Sequence, residues 1–356
     1  MSVTNATLSA LRAAAECPQG EVAVTAGLWR HEVGRHLWTE VGPVGTAETQ
    51  IRPCCYLTHR RHKGAADTIP PMKLLVVLVL LAASGCRFSS GPDYPATSPV
   101  TAGGSYVALG DSYTTGGDIG TSDGVCLRSD ASYPYLVADQ LGLDLDDVSC
   151  GGATTGDLST AQQVRGGVNP AQLGALSRST SLVTLGIGLN DDGFSSEVAY
   201  ACLGANAVTA ATSAACRSYL AMTTAQVEAE VSRIAGNVRS ALQSIHQRAP
   251  HAKVVLVGYP QLVPASGSCA QRLPMASAAV ARLRSVLQQV NTAWAAAARA
   301  AGATYVDTYA VSGGHDICSA DPWVNGVVPV AADGAALHPN RAYHQEVARL
   351  VAQALS

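Results

Sequence analysis

Lysine and phenylalanine are nearly missing from this chain: three lysines stand against twenty arginines, and there are two phenylalanines in 356 residues. Charge of either sign is scarce, at 14%, with a net charge of −3. A nucleic-acid-binding chain gathers basic charge on one face. The one strongly basic stretch here is His59 to Lys63, near the N-terminus, so no nucleic-acid partner is expected. A membrane-spanning helix needs an apolar run of about 20 residues; the longest run, Leu74 to Ala83, falls well short. Zinc spacings such as C-x2-C with H-x3-H are also missing. Cys54-Cys55 and His59-x2-His62 fit them poorly, and Cys17, His31 and His36 add no pattern. No metal and no organic cofactor are expected.

Residues 72–86 do carry a signal, MKLLVVLVLLAASGC. Lysine precedes a leucine and valine run, then small residues, then Cys86, which is the order of a secretory signal peptide. The ending Ala83-Ser84-Gly85-Cys86 resembles a bacterial lipobox, with alanine where leucine is usual. Lipidation of Cys86 would attach the protein to a membrane, since a diacyl group supplies more than one buried chain. Translation is then expected to begin at Met72, and residues 1–71 to be a start-site misassignment or a disordered segment. Residues 87–104 are rich in serine, glycine, proline and threonine and read as a flexible tether. The folded domain runs from about Ser105 to Ser356, and it is expected to act as a monomer. Six cysteines fall in it, at 126, 150, 202, 216, 269 and 318. An even count in an exported chain implies disulfides, with fifteen pairings open.

Short apolar runs alternate with helical periodicity over the domain. Strands are expected at Tyr106–Leu109, Asp147–Ser149, Leu182–Leu185, Val254–Val257 and Thr304–Asp307. Helices are expected at Tyr133–Leu141, about Thr224–Ala249 and about Ser277–Ala301. A last one carries Tyr343, Val347, Leu350, Val351 and Ala354 on one stripe. Unalternating apolar strands suit a parallel sheet covered on both faces. The fold class is α/β: a three-layer α/β/α sandwich around a central, mainly parallel five-stranded sheet. Ligand sites in such folds form at the carboxyl ends of strands.

Four short segments sit at those ends. The first strand ends in Gly110-Asp111-Ser112-Tyr113, where a serine alone is ordinarily a turn residue. Cys150-Gly151-Gly152-Ala153-Thr154-Thr155 offers a glycine N–H. Gly188-Leu189-Asn190-Asp191 offers a side-chain amide. Together the Ser112 N–H, Gly152 N–H and Asn190 amide are the parts of an oxyanion hole. A serine nucleophile needs a base. His246 and His251 flank a helix end and read as solvated, and His344 lies inside the last helix. His338, in Leu337-His338-Pro339-Asn340, precedes that helix in a loop that can face the sheet edge.

These four blocks, in this order, resemble those of the SGNH (GDSL-like) hydrolase family, and within it the secreted actinobacterial esterases and lipases. The resemblance extends to Trp323-Val324-Asn325-Gly326. It implies an SGNH/flavodoxin-like fold and a serine ester hydrolase acting through an acyl-enzyme on Ser112, with His338 as base. It also implies the pairs Cys126–Cys150, Cys202–Cys216 and Cys269–Cys318. Many members carry an aspartate three residues before the histidine; Ala335 stands there in this chain. The nearby acid is Asp333, so either a Ser112–His338 dyad with a backbone carbonyl on the ring, or a triad with Asp333, is implied, the former favoured. The partner is an ester or lipid substrate. A cell-envelope acyltransferase would use the same acyl-enzyme, with a sugar hydroxyl in place of water. A non-catalytic lipid- or glycan-binding lipoprotein would not need the set.

The leader is open to direct test. Mass spectrometry of the native protein is expected to find no peptide from residues 1–71 and a lipid-modified N-terminus at Cys86. A peptide from 1–71 removes the start-site assignment; an unmodified N-terminus removes the anchor.

Overall fold

Alternation along the first strand, β1 (Ser105–Gly110), divides the core in two. Successive side chains of a strand point to opposite faces. Tyr106 and Ala108 enter one buried cluster with Leu182, Val255, Val257 and Val306. Val107 and Leu109 enter the other with Val183, Leu185, Val254 and Leu256. The computed structural model describes residues 94–194, 200–204, 213–329 and 333–356.

The remaining sheet strands are β2 (Asp144–Asp147), β3 (Thr180–Gly186), β4 (Lys253–Val257) and β5 (Thr304–Val306). Their order is β2-β1-β3-β4-β5, and every pairing is parallel. This is the flavodoxin-like order, in which the connections leaving β1 and β3 diverge and open a crevice at the carboxyl edge. A four-residue helix, α1 (Ser112–Thr115), follows β1 directly.

Helices cover both faces. On the Tyr106 side lie α2 (Tyr133–Leu141) and the C-terminal helix, whose buried stripe is Tyr343, Val347, Ala348 and Val351. On the other side lie α4 (Thr224–Arg248) and α5 (Ser277–Ala300), preceded by α3 (Ala214–Ala221). A short α6 (Thr308–Val311) follows β5, and the C-terminal helix is α7 (Arg341–Leu355). The buried residues of α5, among them Val280, Leu283, Leu287, Val290 and Trp294, recur every three or four positions, as an amphipathic helix on a sheet requires. A reciprocal cap starts α4: the Gln226 N–H donates to Thr223 Oγ1, and the Thr223 N–H to Gln226 Oε1. Such a box satisfies two donors that a helix end leaves open.

The fold class is as expected, and some boundaries differ. The second strand was expected at Asp147–Ser149 and lies at Asp144–Asp147. It is an edge strand, and charged side chains suit an edge, so it lacks the apolar pattern used to find strands. Asp147 Oδ1 then accepts from both the N–H and the hydroxyl of Ser149 and turns the chain out of the sheet. The tether is also corrected in its latter part. Residues 94–104 lie against the domain: Tyr94 stacks on His246 with ring centroids 3.9 Å apart, and the Ser98 N–H donates to His251 O at 2.8 Å. His246, expected to be solvated, is buried beneath Tyr94, and burial lowers its pKa. Residues 1–93, with the signal segment and Cys86, lie outside the described residues.

Three disulfides join Cys126–Cys150, Cys202–Cys216 and Cys269–Cys318. Each closes a loop of a size that restricts the unfolded chain by about 3–4 kcal/mol in the entropic model.

The Tyr94 strap predicts a stability effect. Tyr94→Ala is expected to lower unfolding free energy by about 1–2 kcal/mol, the worth of an aromatic stack with its buried area. Urea titration measures it; an unmoved midpoint would show that the strap contributes nothing.

Candidate active site

The site begins with a turn that only glycine permits. Gly110 ends β1. A Cβ there would sit 2.6 Å from Gly186 O and would strike Thr114 Oγ1. Asp111 then caps α1: its Oδ1 accepts from the Tyr113 N–H at 2.9 Å and its Oδ2 from the Tyr259 hydroxyl at 2.7 Å. Burial pushes the Asp111 carboxyl up to about 7, against these two bonds, which favour the ionised form. Ser112, the first residue of α1, thus stands at the carboxyl edge of the sheet with its loop held from below.

His338 meets it from the far end of the chain. Its Nε2 lies 2.9 Å from Ser112 Oγ, and its Nδ1 lies 2.8 Å from the carbonyl oxygen of Ala336. A carbonyl only accepts, so Nδ1 carries the hydrogen and Nε2 presents a lone pair to the serine. Burial lowers the His338 pKa from its ordinary 6.5, while the Ala336 bond and the charge of Asp118 oppose the shift. Asp333 is not brought to the ring. Its Oδ1 accepts from the Arg341 N–H at the start of α7, at 3.1 Å.

The two donor segments converge on the same place. Ser112, Gly152, Asn190 and His338 all line one cavity of ≈ 300 Å³. Gly152 has φ 74°, a left-handed conformation that favours glycine. Among the described residues, neither the Ser112 nor the Gly152 N–H meets an acceptor. The Asn190 amide donates to Ala153 O at 3.1 Å, which fixes its plane. Gly188, with φ 120°, lets this loop pass close to α5: a Cβ would lie 2.6 Å from the Trp294 ring, whose Nε1–H donates to Ile187 O.

Four residues that hold these groups were not assigned roles from sequence. Asp191, beside Asn190, is buried. It accepts from the Thr155 N–H at 2.7 Å, the Thr155 hydroxyl at 2.6 Å and Asn237 Nδ2 at 3.0 Å. One carboxylate therefore ties the Gly152 loop, the Asn190 loop and α4 together. Asn325, in Trp323–Gly326, donates to Asp333 O at 2.7 Å, and its own N–H donates to His338 O at 2.9 Å. Tyr113 donates to Leu337 O at 2.9 Å, joining the serine and histidine loops. Tyr259 holds Asp111, as above. Asp191, Asn325 and Tyr113 all stand inside the segments singled out above. An acid directly after the chemical asparagine was the signal for the first; nothing local marked Tyr259.

Beyond the polar rim the cavity is apolar, with Leu262, Leu273, Leu283, Val286, Leu287 and Ile317 in its walls. Among the described residues, no group of three or more His, Cys, Asp or Glu side chains could hold a metal ion, and no helix is long and apolar enough to cross a membrane.

A parallel α/β/α sheet with a serine, a histidine and converging N–H donors at its carboxyl edge defines the class: a serine hydrolase. The comparisons with known proteins place it further. A model of the GDSL-like Lipase/Acylhydrolase family matches residues 108–346, and the chain belongs to that family of ester hydrolases. It is 39% identical over 226 residues to Lipase 2 of Streptomyces coelicolor, covering 61% of this chain and 72% of that one. Among solved structures, phospholipase A1 from Streptomyces albidoflavus NA297 matches with a TM-score of 0.59 and 30% identity over 71% of this chain and 99% of its own. The extracellular lipase from Streptomyces rimosus matches with a TM-score of 0.58 and 28% identity, over 70% and 99%. The three disulfides agree with an exported chain.

The His338 environment sets a pH expectation. Burial disfavours the imidazolium, so the neutral base persists below the ordinary value. In an NMR titration the His338 imidazole, identified by its loss in His338→Ala, is expected to have its midpoint below 6.5. A midpoint at or above 6.5 would contradict the burial argument.

Proposed function

We propose that the enzyme hydrolyses lipid-type carboxylic esters through an acyl-enzyme on Ser112, with His338 as general base. The observation that carries this is the 2.9 Å contact between His338 Nε2 and Ser112 Oγ, in a cavity with apolar walls. Ser112 Oγ attacks the ester carbonyl as its proton passes to His338 Nε2. The oxyanion takes hydrogen bonds from the Ser112 and Gly152 N–H groups and the Asn190 amide, donors already oriented before charge develops. The imidazolium is held by the Ala336 carbonyl on Nδ1–H. Collapse expels the alcohol, which takes the proton from His338. Water then attacks the acyl-serine, giving its proton to the same nitrogen, and the acid leaves as Ser112 is reprotonated. The acyl chain lies along the apolar walls, and the names of the relatives, lipase and phospholipase A1, support such a substrate.

The ring is held in this reading without a carboxylate. The Nδ1 contact with Ala336 O and the engagement of Asp333 with α7 support a dyad over a triad. Export with a lipid anchor on Cys86 completes the proposal, on the sequence of residues 72–86.

Ser112→Ala is expected to abolish ester hydrolysis with the fold intact, and His338→Ala to approach that loss. Losing the acid of a triad costs about 10⁴ in kcat. Asp333→Asn is expected to cost less than about tenfold, or ~1.4 kcal/mol. Steady-state kinetics with circular dichroism as the control decides. Turnover of more than a few per cent in Ser112→Ala would remove the nucleophile, and about a thousandfold loss in Asp333→Asn would restore the triad.

A further inference from the structure

The apolar cavity has two unlike walls. Leu283, Val286 and Leu287 belong to α5 and are fixed by its backbone ladder. Leu262, Leu273 and Ile317 belong to irregular chain, the first two between β4 and α5 and the third between α6 and α7. A loop has little local stability of its own, so a loop wall keeps its shape only if something outside it holds it.

One clasp does so here. The Cys269–Cys318 disulfide joins the two segments. The Leu273 N–H donates to Cys269 O at 2.7 Å, and the Ile317 N–H to Leu262 O at 3.1 Å. Arg272 Nη1 donates across the gap to Ile317 O at 3.3 Å and Ser319 O at 2.6 Å. Leu273 and Ile317 are each 2% exposed, although Cys269 and Arg272 beside them are not buried. The clasp is thus at the surface, and the residues next to it are the cavity wall.

We propose that this clasp sets the acyl-chain length the enzyme accepts, by holding Leu273 and Ile317 as the wall of the acyl cavity, and that the substrates are esters of medium-chain acids. The inference rests on the reading that the cavity takes the acyl part. An apolar cavity of about 150 Å³ admits a six-carbon ring, so one of ≈ 300 Å³ has room for on the order of ten carbons. Each methylene that enters contributes about fourfold to binding. Selectivity therefore rises with chain length until the cavity is full, then stops. With the clasp open, the loop wall relaxes and longer chains lose the surface they pack against. The same segment also meets the chain that leads to the histidine loop, where the Val327 N–H donates to Arg272 O at 2.9 Å. Ratios between substrates cancel any effect passed along that route to His338.

The test compares the full chain with the double variant Cys269→Ser/Cys318→Ser, the other four domain cysteines being kept. Two quantities are read: kcat/KM for p-nitrophenyl esters from acetyl to palmitoyl, and decanoate binding by calorimetry. Wild type is expected to peak at about eight to ten carbons. The double variant is expected to lose about tenfold in the decanoyl-to-acetyl ratio and a similar factor in decanoate affinity. Should the double variant not fold, Leu273→Trp keeps the disulfide and is expected to move the optimum to shorter chains. Ratios unchanged in the variants, or a wild-type optimum at acetyl or palmitoyl, would overturn the proposal. Decanoate binding needs no turnover. Clasp-dependent binding without hydrolysis of any ester would remove the Ser112 chemistry and leave the clasp standing. Hydrolysis with decanoate binding indifferent to the clasp would remove the clasp alone.

Discussion

All five strands of the central sheet run in one direction, and the site depends on it. Parallel strands deliver every carboxyl end to the same edge, so residues 226 positions apart in the chain come within hydrogen-bonding distance there. The strand order makes the connections after β1 and β3 diverge, which leaves a crevice between them. Ser112 follows the first of these strands and Asn190 the second. An antiparallel pairing of either would send its loop to the opposite edge.

Direction alone does not give the precision that chemistry needs, because the reactive groups sit on loops. Here the loops are fastened to one another as well as to the helices. Asp191 binds the Gly152 loop, Tyr113 binds the carbonyl of Leu337, and Asn325 binds both sides of the histidine turn. Two of the disulfides extend the same scheme. Cys126–Cys150 adjoins the Gly152 loop, and Cys269–Cys318 adjoins the cavity wall. Burial then tunes the groups so held. It raises the Asp111 carboxyl and lowers the His338 imidazole, in both cases because the charged form loses water. For the histidine this leaves a neutral base facing the serine hydroxyl.

The expected helices at Tyr133–Leu141, Thr224–Ala249 and Ser277–Ala301 agree with the structure to within a residue at each end. Long amphipathic helices declare themselves because apolar residues recur at a period the core imposes. The edge strand Asp144–Asp147 did not, since three of its four residues are aspartates and only Leu145 packs on the apolar core. His246 was misread for the converse reason: its cover, Tyr94, is 152 positions away, and no local pattern announces it.

The sequence by itself determined the family, the α/β/α layering and the four segments that bear chemistry, because residue types at strand ends and helical periods are local properties. It favoured a backbone carbonyl for the His338 ring, without naming which, and kept a triad with Asp333 as the alternative. Only the tertiary structure decided which of these meets the ring. The acid lies five residues from the histidine in the chain, yet α7 captures it through the Arg341 N–H. Hydrogen-bond partners are chosen by the three-dimensional path of a loop, and that path is set by residues such as Asn325 and Tyr113 that the local sequence does not connect to it.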